Sequence, residues 1–166
     1  MVKFSLLNKS KFNDFSKELF DILANNMDNI APTGNSYEDD FSTWYEAVSE
    51  GLQKKERHIV IISFDGKLIG FFQYYVNNNG LFMMEEIQIL TEYQEKKYNI
   101  FSKLFDYIFT ILPTNIITVE AFANKKNIKS QQILQHLGLI IIGDNKNGNC
   151  YHFQGNFENL IKWYNN

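Results

Sequence analysis

Two adjacent carboxylates, Glu85 and Glu86, sit on an apolar run at residues 82–90, which is followed by a polar turn, Gln94-Glu95-Lys96-Lys97-Tyr98-Asn99. The run is β-branched toward its end and predicts a strand covered on both faces. Strand alternation puts Glu85 and Glu86 on opposite faces, so only one of them can look into a given site. The turn delivers the chain into a segment with apolar residues at 100, 101, 104, 105, 108, 111 and 112, the spacing of a helix with one wide buried face. Asn99 is its natural N-cap. A helix start exposes unpaired N–H groups and a partial positive charge, so this turn can receive an anionic phosphate, and Lys96 and Lys97 reinforce the attraction. Strand, basic turn and helix together predict a site for a nucleotide-type ligand.

Other reactive side chains form no comparable pattern. His58, His136 and His152 lack metal-ligand spacing, and no Ser-His-Asp or H-E-x-x-H arrangement is present, so no metal is expected. His136 reads as an exposed helix residue, and His152, on a late strand, as structural or as the lining of a pocket. The single cysteine, Cys150, excludes an internal disulfide and reads as a small buried hydrophobe in a reducing cytoplasm.

These residues need a scaffold, and the chain supplies one. Its 166 residues suffice for a single domain with a proper core, and 16% aromatic content implies bulky packing or a ring-lined pocket. A net charge of -3 argues against nucleic acid as partner. No stretch approaches the ~20 apolar residues that span a bilayer, and the first ten residues lack the apolar run of a signal peptide, so a cytoplasmic location without membrane partners is expected.

Apolar spacing predicts helices over residues 11–25 and 36–53, the second capped by Ser36. Residues 58–64 and 67–76 flank Asp65-Gly66 and predict a hairpin. Asn77-Asn78-Asn79-Gly80 turns the chain into the strand at 82–90. A strand at 115–122 is expected beside it and parallel, because the helix between them makes a right-handed crossover. Strands at 139–143 and 150–154 should form a last hairpin, and Phe157, Leu160, Ile161, Trp163 and Tyr164 a short terminal helix. An aromatic strand such as Tyr151-His152-Phe153 could pair with another copy in a homodimer.

The residues around the turn resemble the GCN5-related N-acetyltransferase superfamily. Ile89-Leu90-Thr91-Glu92-Tyr93-Gln94 is similar to its strand exit, and Asn127-Ile128-Lys129-Ser130 through Leu137-Gly138-Leu139 to its closing N-x-x-A/S, helix and L-G-F segment. Thr91 stands where proline is common. Glycine is absent from the phosphate turn: Lys97 and Asn99 occupy the two small-residue positions if Gln94 opens the motif, Asn99 and Phe101 if Lys96 does. Asn is the best non-glycine residue for the positive φ this turn favours.

The resemblance implies an α/β fold, a central mixed sheet of about six to seven strands with a splayed parallel pair. It also implies acetyl-coenzyme A as acyl donor, bound by the backbone of Ile89 and Leu90, by the turn residues Gln94, Lys96, Lys97, Tyr98, Asn99 and Ile100, and by Asn124, Asn127 and Ser130. Asn127 can equally be a helix N-cap. Transfer to a primary amine of a small molecule or peptide needs a base, since such an amine has a pKa of ~10.4. Glu85 is favoured over Glu86, because its strand parity resembles that of the base in some relatives, and Glu120 comes third. Leu134 replaces a tyrosine that in many relatives protonates the departing thiolate, leaving water, Tyr98 or Tyr151 for that step. With the missing glycines, it also motivates an alternative, a non-catalytic domain of the same fold that binds an acyl-coenzyme A or a protein partner.

Overall fold

The structure, a computed structural model, describes residues 1–166. Seven strands form one mixed sheet: β1 (Val2–Leu6), β2 (Arg57–Phe64), β3 (Lys67–Val76), β4 (Leu81–Ile89), β5 (Thr118–Asn124), β6 (Ile140–Asp144) and β7 (Cys150–Asn156), in the spatial order β1-β2-β3-β4-β5-β7-β6. Five helices accompany it: α1 (Phe12–Asp28), α2 (Tyr37–Leu52), α3 (Ile100–Ile111), α4 (Ile128–His136) and α5 (Phe157–Asn165). The chain resolves into two compact units, Met1–Gln73 with Glu86–Phe101, and Tyr74–Glu85 with Ser102–Asn166.

In the first unit, Leu19 of α1 and Val48 and Leu52 of α2 close on Ile59 and Phe71 of the sheet, with Leu7 and Phe12 in the same buried cluster. Burying such side chains stabilises by roughly 1.5–3 kcal/mol each. The Ser36 hydroxyl accepts from the Asp39 N–H at 3.1 Å and starts α2 as expected. Asp65 (φ 49) and Gly66 (φ 84) supply the two positive-φ positions of a tight hairpin turn between β2 and β3.

In the second unit, Phe82, Val119, Ala121, Phe105, Ile108, Phe153 and Leu160 are buried. The terminal helix packs its rings on α3, Phe105 against Trp163 at 5.2 Å and Phe109 against Tyr164 at 4.6 Å. β4 and β5 are parallel, pairing Leu81 with Thr118 through Met84 with Ala121, as the crossover predicts. β6 and β7 form the expected antiparallel hairpin.

Several expectations are corrected. β1 was not foreseen: it pairs antiparallel with β2 from Val2–Phe64 to Leu6–Val60. β5 begins at Thr118 instead of 115, because the N–H groups of Ile117 and Thr118 both bond the Gly80 carbonyl at 2.8 and 3.2 Å and hold the preceding residues against the Asn77–Gly80 turn. β7 lies between β5 and β6, so both its edges are paired and Tyr151-His152-Phe153 offers none to a second copy. Cys150 is half-buried. The bond from Asn77 N–H to Leu81 O and that from Leu90 N–H to Ile69 O differ by one residue in register. β4 therefore carries one extra residue between them, a β-bulge. Alternation alone thus does not fix the faces of Glu85 and Glu86.

Candidate active site

The turn between β4 and α3 belongs to the first unit. After β4, short 3-10 turns at Thr91–Tyr93 and Lys96–Tyr98 lead to Asn99, whose φ of 49° and ψ of 38° are left-handed, and α3 starts at Ile100. Only Asn99 and Asp65 among non-glycine residues have positive φ, so neither Lys97 nor Phe101 takes that conformation. The N–H groups of Tyr98 and Asn99 close back onto Glu95 and Lys96 at 3.1 Å each, which leaves the first turn of α3 to present its own donors. The rings of Phe64, Tyr93 and Tyr98 stand 5.1–5.6 Å apart and fasten the turn to the end of β2. Lys96 is exposed, whereas Lys97 pairs with Glu95 at 3.0 Å and lies over the Tyr98 ring at 5.1 Å. The Glu95 hydrogen bond and charge raise the Lys97 ammonium above its ordinary pKa.

The strand edge before the turn is engaged in a way the sequence did not announce. The Leu90 N–H donates to Ile69 O at 2.8 Å. The Ile89 carbonyl accepts from Asn26 Nδ2 at 2.9 Å and Gln94 Nε2 at 2.8 Å, which uses both its lone pairs. Asn26 also donates to Gln88 Oε1 at 2.9 Å and accepts from the Thr91 hydroxyl at 3.4 Å, and Gln88 Nε2 donates to Glu86 Oε1 at 2.6 Å. An amide chain from α1 thus reaches the Glu86 carboxylate. Gly70 lets β3 approach: a Cβ there would lie 2.4 Å from the Gln88 carbonyl oxygen. With the Gln88 carbonyl and the Leu90 N–H both turned to β3, backbone alternation directs the Ile87 groups and the Ile89 N–H to the opposite edge.

In the second unit, Glu85 follows Met84, the last residue of β4 paired with β5, and is half-buried. Glu120, one rung before the end of the ladder, bonds His152 Nε2 through its Oε1, and the Phe122 ring stacks on the imidazole at 4.4 Å and 16°. Asn127 caps α4, its Oδ1 accepting from Ser130 N–H at 3.1 Å. Asn124 Oδ1 accepts from Lys126 N–H at 2.9 Å. In both residues those bonds use the amide oxygen and not the nitrogen. No group of three or more His, Cys, Asp or Glu side chains is placed to hold a metal ion, and no helix is long and apolar enough to cross a membrane.

No family model matches the sequence, and no curated protein sequence does either. Solved structures match it throughout. An acetyltransferase from Streptococcus agalactiae superposes with a TM-score of 0.72 at 10% identity, over 93% of this chain and 98% of that one. The PaiA N-acetyltransferase of Thermoplasma acidophilum, in complex with coenzyme A, gives 0.68 at 12% identity over 94% and 99%. Spermidine N-acetyltransferase from Vibrio cholerae, in complex with coenzyme A and spermine, gives 0.63 at 15% identity over 96% and 98%. The chain has the fold of the GCN5-related N-acetyltransferase superfamily.

Against that superfamily fold, the chain's departures become specific. Asn99 holds the positive φ for which glycine is usual. The closing L-G-L segment ends α4 through Gly138 at φ 93°, with Leu139 N–H bonding Leu134 O at 3.1 Å. Leu134 brings no hydroxyl there. Neither tyrosine considered as a substitute stands apart: Tyr98 lies in the ring cluster of the turn, and Tyr151 lies under Lys125 Nζ at 5.0 Å. Asn26 and Gln88 were missed as site residues, because a side-chain amide carries no periodicity or motif to mark it.

Proposed function

We propose that this protein is an acetyl-coenzyme A-dependent N-acetyltransferase acting by direct transfer to a primary amine. The observation that carries the reading is the passage from β4 through left-handed Asn99 into α3, which supports an anion site because a helix N-terminus with lysines beside it favours negative charge. The N–H groups of Ile100 and its neighbours in the first turn of α3, with Lys96 and Lys97, would hold the pyrophosphate. Gln94, Tyr98 and Asn99 keep the turn in shape. With the Ile89 carbonyl and Leu90 N–H already bonded, the Ile87 backbone and the Ile89 N–H would hold the pantetheine arm, and the amide nitrogens of Asn124 and Asn127, beside Ser130, are proposed as further donors. These residues suit such a group: they would present backbone donors and a cation to phosphate, and the Ile87 groups and the Ile89 N–H to amides.

Acetyl-coenzyme A supplies the activated acetyl group when bound. The chain's own task is to orient it and to take a proton from the amine. Glu85 or Glu86 would act as that base, Glu85 just beyond the last rung of the β4–β5 ladder and Glu86 held by Gln88. That spermine occupies one relative's structure supports an amine acceptor. The test is thiol release from acetyl-coenzyme A across a panel of primary amines, with Glu85→Gln and Glu86→Gln beside the wild type. The catalytic base should cost about 10²–10⁴-fold in kcat and the other carboxylate little. If both variants transfer acetyl at the wild-type rate, neither is the base; if the wild type transfers to no amine, the enzyme reading is wrong.

A further inference from the structure

Transfer to an amine ends with a thiolate that needs a proton, and Leu134 cannot give one. One titratable pair stands at the end of the β4–β5 ladder. Glu120 is on the rung with Met83, next to the last, and His152 is on β7 opposite Phe122. The pair is largely covered, with 14% of the Glu120 and 24% of the His152 side chain exposed. Two contacts define the imidazole: its Nε2 meets the Glu120 carboxylate, and its face lies on the Phe122 ring at 4.4 Å. Phe122 remains 43% exposed, so the pair borders open space. With Nε2 held by Glu120, Nδ1 is the ring nitrogen left that could meet a ligand. The other two histidines lack this arrangement, since His136 is exposed on α4 and His58 lies on β2.

We propose that His152, oriented by Glu120, is the acid that protonates the thiol leaving the acyl donor. The assignment rests on the acetyltransferase reading above. In this step His152 gives its Nδ1 proton to the sulfur as the C–S bond breaks and the amine's C–N bond forms. The sulfur keeps the electron pair of the broken bond. Neutral imidazole remains, its Nε2–H on Glu120, and solvent restores the proton before the next turnover. Histidine suits the step, since an imidazole can carry a proton on each nitrogen and give one up as a general acid.

The test follows the imidazole nitrogens of the full-length protein by NMR during titration with coenzyme A and, separately, with desulfo-coenzyme A. His58 and His136 serve as internal references, and His152→Gln assigns the third imidazole. The His152 signals should move with coenzyme A and stay in place with the desulfo analogue. His152→Gln should keep its melting temperature and its affinity for coenzyme A while transferring acetyl about 100-fold or more slowly, and Glu120→Gln should lower kcat by a smaller factor at unchanged KM. Signals that move equally with both ligands, or with neither, overturn the assignment, as does wild-type turnover in His152→Gln. If the unmodified protein binds no coenzyme A, the acetyltransferase reading fails first; if it binds and the imidazole does not respond to the sulfur, only the acid assignment falls.

Discussion

Asn99 is where the proposed phosphate site can be perturbed most informatively. Its φ of 49° and ψ of 38° lie in the region that costs an L-residue with an ordinary side chain about 1–2 kcal/mol and that asparagine tolerates better. Asn99→Val adds a β-branched side chain to that conformation, so at least that cost should appear. At roughly 2–4 °C per kcal/mol for a chain of this size, the melting temperature should fall by about 2–8 °C if the turn keeps its shape. If the turn instead relaxes to negative φ, the start of α3 is redirected and its first N–H groups with it. Acetyl-coenzyme A then loses affinity, about tenfold for each 1.4 kcal/mol forfeited. Asn99→Gly removes the strain altogether and should preserve both stability and affinity, with Asn99→Ala between the two. Calorimetric titration with acetyl-coenzyme A, alongside thermal melts of the same samples, reads both quantities. A valine variant that melts and binds like the wild type would refute the claim that left-handed Asn99 shapes the site.

Three further outcomes follow from the same structure. Gly70→Ala puts a Cβ 2.4 Å from the Gln88 carbonyl oxygen and 3.2 Å from Ile89 Cα, so β4 must shift at its exit; overpacking of this kind costs about 1–3 kcal/mol, which a melt will detect. Asn26→Ala removes the donor to Gln88 and one donor to Ile89 O and should cost about 1–3 kcal/mol for the acceptors left unsatisfied; Asn26→Ala with Gln88→Leu should cost less than the sum of the single losses in a double-mutant cycle. Burial first, then Lys9, lowers the His58 pKa below its ordinary 6.5, with Glu56 opposing. The unfolded chain therefore binds more protons in that range. Stability from this group is present above pH 6.5 and is lost as pH falls through the lower folded value. The decline in melting temperature on acidification should be shallower in His58→Gln.

Much of the fold was legible because local signals govern it. The apolar face of α3, the Ser36 cap and the Asp65-Gly66 turn each act within a few residues, and the structure keeps all three. The parallel placement of β5 followed from chain handedness. β1 was illegible because it is a five-residue edge strand, mostly exposed, whose pairing depends on β2 more than fifty residues away. In the site, Asn99 was readable as the one turn residue suited to positive φ. The chain Asn26–Gln88–Glu86 and the pair Glu120–His152 were not, since they form across elements 32 to 62 residues apart and depend on register that no local pattern encodes. Cys150 was misjudged for a different reason: its exposure depends on its place beside the Asn145–Asn149 turn and not on its own polarity.

The central claim is that the turn before α3 binds the phosphates of acetyl-coenzyme A. Isothermal titration of the purified protein with acetyl-coenzyme A, and separately with 3′-dephospho coenzyme A, tests it most directly. Saturable one-to-one binding of acetyl-coenzyme A, retained by the dephospho ligand because the turn holds the pyrophosphate, is the predicted result. No binding at millimolar ligand would contradict it and remove the basis for an acetyltransferase.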